Sequence, residues 1–385
     1  MTTISAEELR KEYLLDPEIV FLNQGSFGAT PKPVFDEYVR WNLEVERQPV
    51  EFLGRRLPAL LKTSREELGR YLNADPSDLV YVDNATWAVN VIARSYALKP
   101  GDEILTTNHE YGACTMTWDW LAQKQGAKVI YQEIPLPVTT HDDFVETFWA
   151  GVTPKTKIIF MSHITSPTAL IFPIKEICRR AREAGILTLI DGAHAPSQLD
   201  LDMKDIGADI YTGNLHKWLT TPRGCAFMHV RREHHVWVES LIVSWGWGRG
   251  TISESTMVER NEWQGTRDHS AFLSVPAAIK FQADHDWPAV KRRCHDLAVR
   301  TQQRISELTG LPPHCPSDEG WFEQLVACPI KSDDLGLLKT RLYDEARIEV
   351  PMVDWHGHQF VRVSLAGFVT EADVDVLLDS LARFL

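Results

Sequence analysis

Three groups of residues have types and spacings that could do chemistry. Asp191 ends the apolar run "LTLID" and is followed by "GAHAPSQ", and Lys217 comes about 26 residues later in "TGNLHKW". A carboxylate at the end of an apolar segment is costly to bury unless a cation or hydrogen-bond donors meet it. The third group is "DNATWAVN" (83–90), where free N–H groups at a helix start and the Thr86 hydroxyl suit a phosphate.

Each group by itself also has a plainer interpretation. Asp191 could start a turn, Asn84 or Thr86 could be a helix N-cap, and a lone lysine is usually a surface residue. Together, however, they supply what pyridoxal phosphate (PLP) requires: a lysine that forms a Schiff base, a carboxylate that keeps the ring nitrogen protonated, and a cradle for the phosphate. The combination predicts a PLP site.

The segments around these residues indicate how they would be positioned. Short β-branched runs alternate with amphipathic patterns over the middle of the chain, which predicts a mostly parallel sheet covered by helices. Seven strands are expected, at 79–84, 103–107, 128–132, 157–163, 187–191, 209–213 and 225–230. Ligands of such sheets bind beyond the carboxyl ends of the strands, so Asp191 and Lys217 should lie together at that edge.

The pattern changes after about residue 280. A long charged helix is followed by the strand-like "FEQLVACPI", a helix, the strand-like "FVRVSL" and a final helix. This order predicts a separate α+β unit. The expected division is a large PLP-binding domain at 21–280, a small domain at 281–385, and an N-terminal segment at 1–20 that packs on the small domain.

Composition excludes several classes of protein. With 44% hydrophobic and 24% charged residues, the chain of 385 residues reads as globular, and no apolar run is long enough to span a membrane. A net charge of −13 argues against nucleic-acid binding. The first residues lack an apolar leader, so a cytoplasmic location is expected. The six cysteines do not suggest disulfides, and no metal site is predicted because ligand spacings are absent.

Nine segments, in order along nearly the whole chain, resemble the aminotransferase class V group of fold-type I PLP enzymes, and within it the isopenicillin N epimerase-like enzymes. The segments are "LNQGSFGATP" (22–31), "FLGRRLPALL" (52–61), "DNATWAVN" (83–90), "GDEILTTNHEYGA" (101–113), "SHITSPTALIFPI" (162–174), "DGAHAPSQLDLD" (191–202), "GNLHKWLTTPRG" (213–224), "QGTRD" (264–268) and "VRVSL" (361–365). The resemblance implies a large domain with a seven-stranded sheet, a smaller α+β C-terminal domain, and a homodimer with active sites at the subunit interface.

The resemblance also assigns cofactor-binding roles. It implies that Lys217 forms the Schiff base, that Asp191 partners the pyridine nitrogen, and that His194 lies near the ring hydroxyl. The phosphate ligands it implies within one subunit are Ala85, Thr86, Thr212 and His216. Gly265 and Thr266 of "QGTRD" would reach the phosphate from the second subunit.

Other residues are implied to face the ring or the substrate. Tyr111 falls where relatives stack a side chain on the ring, and His109 is the alternative. Arg362 would bind the substrate carboxylate, since a guanidinium binds a carboxylate through two hydrogen bonds. Asn23 and Ser26 would approach the substrate.

The sequence narrows the reaction without fixing it. An epimerase or racemase is the leading hypothesis, a C–S lyase that eliminates a β-sulfur is the second, and an aminotransferase is the third. A persulfide-forming desulfurase is not expected, because "RIEVPMVDWHGHQFVR" lacks a cysteine before Arg362. For the acid opposite Lys217, Tyr111, His109 and a water stay open. A non-catalytic PLP-fold protein is the competing class, and the intact set of Lys217, Asp191 and Arg362 argues against it.

Overall fold

The computed structural model describes residues 4–248, 256–317 and 320–385. In chain order, the strands are β1 Val20–Phe21, β2 Leu79–Val82, β3 Glu103–Thr107, β4 Lys128–Gln132, β5 Thr156–Ser162, β6 Leu187–Asp191, β7 Ile210–Asn214, β8 Ala226–Val230, β9 Leu325–Pro329, β10 Ile348–Glu349, β11 Met352–Trp355 and β12 His358–Ser364. The α-helices are α1 Ala6–Lys11, α2 Gln24–Phe27, α3 Lys32–Arg47, α4 Pro49–Glu51, α5 Leu57–Leu72, α6 Ala85–Ser95, α7 Gly112–Gln125, α8 His141–Trp149, α9 Ile174–Glu183, α10 Met203–Ile206, α11 Met257–Glu262, α12 Ser270–Leu273, α13 Val275–Asp284, α14 Trp287–Thr309, α15 Leu335–Ala346 and α16 Glu371–Phe384.

Strands β2 to β8 form one mixed sheet in the order β2-β8-β7-β6-β5-β3-β4. The pairs among β3 to β7 are parallel, and β8 is antiparallel to both β7 and β2. Each run that the sequence pattern assigned to this sheet is a strand, so the predicted fold class is confirmed. Because β2 and β7 therefore point the same way as β6, their carboxyl ends meet at one edge, where the predicted site residues follow them.

Side chains alternate between the two faces of this sheet, and both faces are buried except at the edge strand β4. Tyr81, Ile159 and Ile190 belong to one apolar cluster, whereas their chain neighbours Val80 and Ile158 belong to the other. Burial on both faces requires strands that are apolar throughout, which is why these runs showed no polar alternation. A carboxylate such as Asp191 is therefore tolerated only where the strand ends.

A second sheet of three antiparallel strands, in the order β11-β12-β9, lies in the C-terminal part of the chain. Its middle strand, β12, places Arg362 opposite Ala327 of β9. The sequence predicted β9 and β12 but not β11, because "MVDW" is only four residues long and is half exposed. Arg362 thus lies on a paired central strand, which fixes its backbone.

The N-terminal segment lies against the C-terminal part of the chain. The ring of Tyr13 is 4.7 Å from that of Phe368, and Val20 of β1 pairs with Ile348 of β10. The backbone oxygen of Ile4 accepts a hydrogen bond from the Arg293 guanidinium. In the described ranges, no helix combines the length and the apolar character that crossing a membrane requires.

Candidate active site

A cleft of about 580 Å³ opens at the carboxyl edge of the large sheet. Nine of the residues predicted from the sequence line it: Ser26, Ala85, Thr86, Tyr111, Asp191, His194, His216, Lys217 and Arg362. Five others lie outside it: Asn23, His109, Thr212, Gly265 and Thr266. The strand ends thus bring together residues that are far apart in the sequence.

Lys217 lies just beyond the end of β7, with its amine inside the cleft. Its Nζ is 3.0 Å from Nε2 of His194. Burial, and then the positive charge of Arg362, lower the pKa of Lys217 to about 7, although the Asp191 carboxylate partly opposes this. The amine is therefore uncharged over much of the neutral range, which is the state in which a lysine is a nucleophile.

The hydrogen bonds of His194 define which of its nitrogens carries the proton. Nε1 of Trp218 lies 3.5 Å from Nδ1 of His194 and can only donate. Burial and the charge of Lys217 keep the pKa of His194 well below its ordinary value, so the ring is neutral. The Trp218 contact favours the tautomer with the hydrogen on Nε2, the nitrogen that faces the Lys217 amine.

Gln24 fixes the backbone of the lysine and was not identified from the sequence. Its Nε2 donates to the Lys217 carbonyl oxygen at 2.7 Å, and its Oε1 accepts from the Ala29 N–H at 2.9 Å. The side chain is 1% exposed. The only sequence signal was its position inside "LNQGSFG", next to Asn23. Its role depends on a contact across more than half of the chain.

Asp191 ends β6 with a buried carboxyl group. Oδ1 accepts from the Ala193 N–H at 2.9 Å, and the Cys114 thiol lies 3.5 Å from Oδ2. Burial raises the pKa of Asp191, and the Ala193 N–H and the charge of Lys217 oppose that rise. No arginine or lysine of the described chain forms an ion pair with it. A buried acid with so few donors favours a cationic ligand such as a protonated pyridine nitrogen.

The phosphate end of the predicted site lies where β2 joins α6. Asn84 caps the helix through the Trp87 N–H at 2.9 Å, so the capping interpretation is correct for this residue. The Ala85 N–H donates to Asn214 Oδ1 at 2.9 Å. Nδ1 of His216 donates to the Cys225 carbonyl at 2.8 Å, and burial lowers the pKa of His216 to about 4. Ala85, Asn214 and His216 line the cleft. The Ala85 N–H and the His216 Nδ1 are bonded within the protein, so the contacts of these residues with a phosphate stay predictions.

Thr212 was predicted as a phosphate ligand, and the structure corrects this. Its hydroxyl donates to the Phe227 carbonyl oxygen of β8 at 2.7 Å, and the residue is 0% exposed. Asn214, two residues further along β7, lines the cleft instead. A strand advances about 3.3 Å per residue, so Asn214 reaches the carboxyl edge and Thr212 stops short of it.

Arg362 projects from β12 into the opposite side of the cleft. Its Nη1 donates to the backbone oxygen of Ser166 at 2.6 Å, and its Nη2 lies 3.3 Å from Oγ of Ser26. Nε has no hydrogen-bond partner in the described part of the chain, and the residue is 6% exposed. Burial lowers the pKa of Arg362 to about 10, so it stays charged at neutral pH. A buried guanidinium held only by neutral groups favours an anionic ligand.

Tyr111 and His109, the two candidates for the ring-facing position, have different surroundings. Tyr111 is 48% exposed and lines the cleft. The His109 ring is enclosed: Nε2 bonds the Ile134 carbonyl at 2.8 Å, Nδ1 bonds Thr168, and the ring lies 4.2 Å from that of Trp355. The alternative placement of His109 is thus corrected, because these partners turn it away from the cleft.

Glu110, between these two residues, anchors the loop and was not predicted. Its carboxylate accepts from the Ser162 N–H at 2.8 Å and from the Thr107 hydroxyl at 2.7 Å. Burial, together with the charge of Asp191, raises its pKa to about 7 despite these donors. The loop that carries Tyr111 is thereby tied to β5, the neighbour of the strand that carries Asp191.

The remaining predicted residues lie nearby but outside the cleft. Asn23 donates from Nδ2 to Glu349 at 2.8 Å and lines a neighbouring cavity. Gly265 and Thr266 are on the surface of the same chain, next to Arg267, which forms an ion pair with the cleft residue Asp83. Their expected contacts with substrate or with a second subunit's cofactor stay predictions.

Comparisons with known proteins agree with the fold and the cleft described above. The aminotransferase class V family matches residues 29–377. The chain belongs to this family. It is 36% identical to isopenicillin N epimerase of Amycolatopsis lactamdurans, with 97% of this chain and 96% of that protein covered. It is 30% identical to a probable chloroplastic L-cysteine desulfhydrase of Arabidopsis thaliana, with 91% and 78% covered. An apo cysteine desulfurase of Thermococcus onnurineus NA1 shares the fold, with a TM-score of 0.85 at 20% identity over 99% of this chain and 98% of that one.

The cofactor of this aminotransferase class V enzyme is PLP. The residues present fit it: Lys217 offers an amine with a pKa of about 7, and the buried Asp191 carboxyl forms no ion pair with an arginine or lysine of the described residues. Ala85 and His216 line the same cleft and would face the phosphate group. When bound, PLP withdraws electrons from the α-carbon of an attached amino acid.

Gly28 is a close-approach position that the fold requires beside Lys217. Its φ is +70°, and a β-carbon there would lie 1.8 Å from the His216 carbonyl oxygen. We expect Gly28→Ala to lower the free energy of unfolding by at least about 2 kcal/mol and to weaken PLP binding, because the Lys217 backbone must move. Thermal unfolding and PLP titration measure both effects. Gly112→Ala is the control, since a β-carbon there has no neighbour within 4 Å; equal behaviour of the two variants would contradict the packing argument.

Proposed function

We propose that this class V enzyme removes and returns the α-proton of an amino acid and is an epimerase or racemase. The observation that carries the proposal is the pairing, in one cleft, of the low-pKa amine of Lys217 with the buried and unneutralised Arg362. Arg362 would hold the substrate carboxylate and so fix which bond of the α-carbon faces Lys217. The amine of Lys217, released when substrate binds, would then accept the proton at a pH near its pKa.

Epimerisation needs a proton donor on the other face, and Tyr111 is the residue proposed for it. Its phenol lies in the cleft and is half exposed, so it can exchange its proton with solvent. One proton leaves the substrate to Lys217 and another arrives from Tyr111, so that the atoms and the charge balance. The enclosed ring of His109 argues against this role for it.

A C–S lyase is the second candidate, and the positions of the cysteines bear on it. All six thiols are buried, and none of the residues that line the cleft is a cysteine. A persulfide-forming desulfurase would need a thiol within reach of the substrate. Direct β-elimination needs only the base that removes the α-proton, and the similarity to a probable desulfhydrase keeps it as the alternative. An aminotransferase ranks third, because nothing in the cleft points to a second amino-group acceptor.

Incubation of the holoenzyme with L-amino acids in heavy water separates these reactions. Epimerisation predicts deuterium at the α-carbon and appearance of the D-enantiomer, with neither keto acid nor thiol released. Proton NMR and chiral chromatography measure these products. Release of pyruvate together with a thiol would assign the enzyme as a lyase. Formation of keto acid and aminated cofactor in equal amounts would assign it as an aminotransferase. Tyr111→Phe should slow the formation of the D-enantiomer more than it slows deuterium uptake.

We also infer a homodimer in which Gly265 and Thr266 complete the partner's phosphate site. Support comes from their position on the surface, outside the cleft of their own chain. Co-expression of Lys217→Ala chains with Thr266→Val chains tests this: mixed dimers would contain one site with neither substitution and recover activity that each variant lacks alone. A monomer in light scattering, or no recovery in the mixture, would reject the shared site.

A further inference from the structure

The active-site cleft continues into a second cavity. This cavity, of about 830 Å³, lies between the N-terminal segment and the start of α3. Phe27 and Arg223 line both spaces, so the two spaces meet at these residues. The reacting end of a substrate would occupy the first space, and only a long side chain would reach the second.

Arg223 lies at this junction and is exposed to solvent. Within the described residues, its one hydrogen bond is long, 3.4 Å from Nη1 to the Gly28 carbonyl oxygen. No carboxylate of the described residues forms an ion pair with it, although the chain carries a net charge of −13. Because no acidic side chain of the described residues pairs with it, this exposed guanidinium on the cleft wall is available to an anionic ligand.

We propose that Arg223 determines specificity by binding an anionic group on the side chain of the substrate amino acid. This inference rests on the proposed function, in which Arg362 takes the α-carboxylate. With that end fixed, the side chain would pass over the ring of Phe27, which is 73% exposed and offers an apolar surface to methylene groups. The anion would then meet the Arg223 guanidinium at the junction.

The second cavity also contains an acid, and this defines where the anion would sit. Glu349 lies on its wall and accepts the Asn23 amide hydrogen bond at 2.8 Å. A carboxylate there repels an anion from the far end of the cavity. The proposed subsite is therefore the junction itself, and a cationic side chain directed at Glu349 is the competing possibility.

The experiment compares L-2-amino dicarboxylic acids of increasing length with the ω-amide of each. Titration of the holoenzyme, followed by the visible absorbance of the cofactor, gives a dissociation constant for every compound. We expect the acids that are long enough to reach Arg223 to bind on the order of tenfold more tightly than their amides. We expect no such preference for the shortest pair.

Substitutions test whether Arg223 causes the preference for acids over amides. Arg223→Met should remove the preference for acids while leaving the affinity for the amides unchanged. Arg223→Lys should keep part of that preference, because the charge remains but the bidentate geometry is lost. Phe27→Ala should weaken the long ligands and spare the short ones. Arg47→Met, at a side chain that is 79% exposed on α3, is the matched control and should change nothing.

Several results would overturn the proposal. Equal affinity for acids and amides at all lengths would reject it, and so would a preference for cationic side chains. Uniform weakening of all ligands in Arg223→Met, together with loss of PLP, would assign the residue to the cofactor phosphate near His216 instead. If no amino acid shifts the absorbance or exchanges its α-proton, the proposed function itself fails. If only the specificity role of Arg223 is wrong, the holoenzyme should still exchange the α-proton of its substrate.

Discussion

Replacing Lys217 with alanine will lower the rate of α-proton exchange by about a thousandfold or more, the usual range for removal of a general base. The protein should stay folded, because the side chain makes one polar contact, with His194, and its backbone is held separately by Gln24. PLP should still bind through Asp191 and the phosphate end of the cleft. The variant would then carry its cofactor without a covalent bond to the protein.

Borohydride reduction followed by mass spectrometry measures that covalent bond. The wild type should retain the mass of PLP on the peptide that contains Lys217, and Lys217→Ala should retain none. Lys62→Ala is the control, since its side chain is 71% exposed and lies outside the cleft. Exchange at near wild-type rates in the Lys217 variant would refute the assigned base.

The pH dependence of cofactor capture tests the cause of this reactivity. Burial lowers the pKa of Lys217 to about 7, so half of the amine is uncharged at that pH. Capture of PLP by the cofactor-free protein should therefore rise through neutral pH and level off above it. An amine with the ordinary value of 10.5 would keep gaining reactivity up to pH 10. Stopped-flow absorbance in matched buffers distinguishes the two curves, and a continued rise would contradict the burial effect.

Replacing Arg362 with alanine will raise the KM for amino acids by roughly a hundredfold or more and leave the cofactor spectrum unchanged. Truncating one member of a buried, hydrogen-bonded charge pair costs about 2–5 kcal/mol, and 1.4 kcal/mol corresponds to a factor of ten. Arg362 contacts Ser166 and Ser26 from β12, whereas the cofactor groups lie on the large sheet. Substrate binding and cofactor binding should therefore separate.

Two further variants refine the test of Arg362. Arg362→Lys keeps a charge but loses the paired geometry, so its KM should fall between those of the wild type and the alanine variant. Ser166→Ala removes one of the two oxygens that Nη1 contacts, at 3.0 Å, and should have a small effect. Steady-state kinetics with one amino acid and absorbance scans of each holoenzyme provide the values. An unchanged apparent affinity in Arg362→Ala would remove its carboxylate role.

The sequence was sufficient for the sheet and for the pair at its edge. Apart from the edge strand β4, the strands of the large sheet are buried on both faces, so their apolar runs were visible without knowledge of their neighbours. Parallel strands end at the same edge, and this rule alone placed Asp191 and Lys217 together. Short or half-exposed strands such as β1 and β11 gave no comparable signal, because their burial depends on what packs beside them.

Local patterns and strand order were enough to predict the fold class and the family, and they also predicted that Lys217 and Asp191 lie together at one edge of the sheet. Which of two neighbouring residues faces the cleft depends on tertiary contacts that the sequence does not show. Asn214 replaced Thr212 because it lies two residues nearer the edge, and Tyr111 rather than His109 entered the cleft because Trp355 encloses the histidine. Contacts between segments that are far apart in the sequence determine which side chain faces the cleft, and a local sequence pattern does not contain that information.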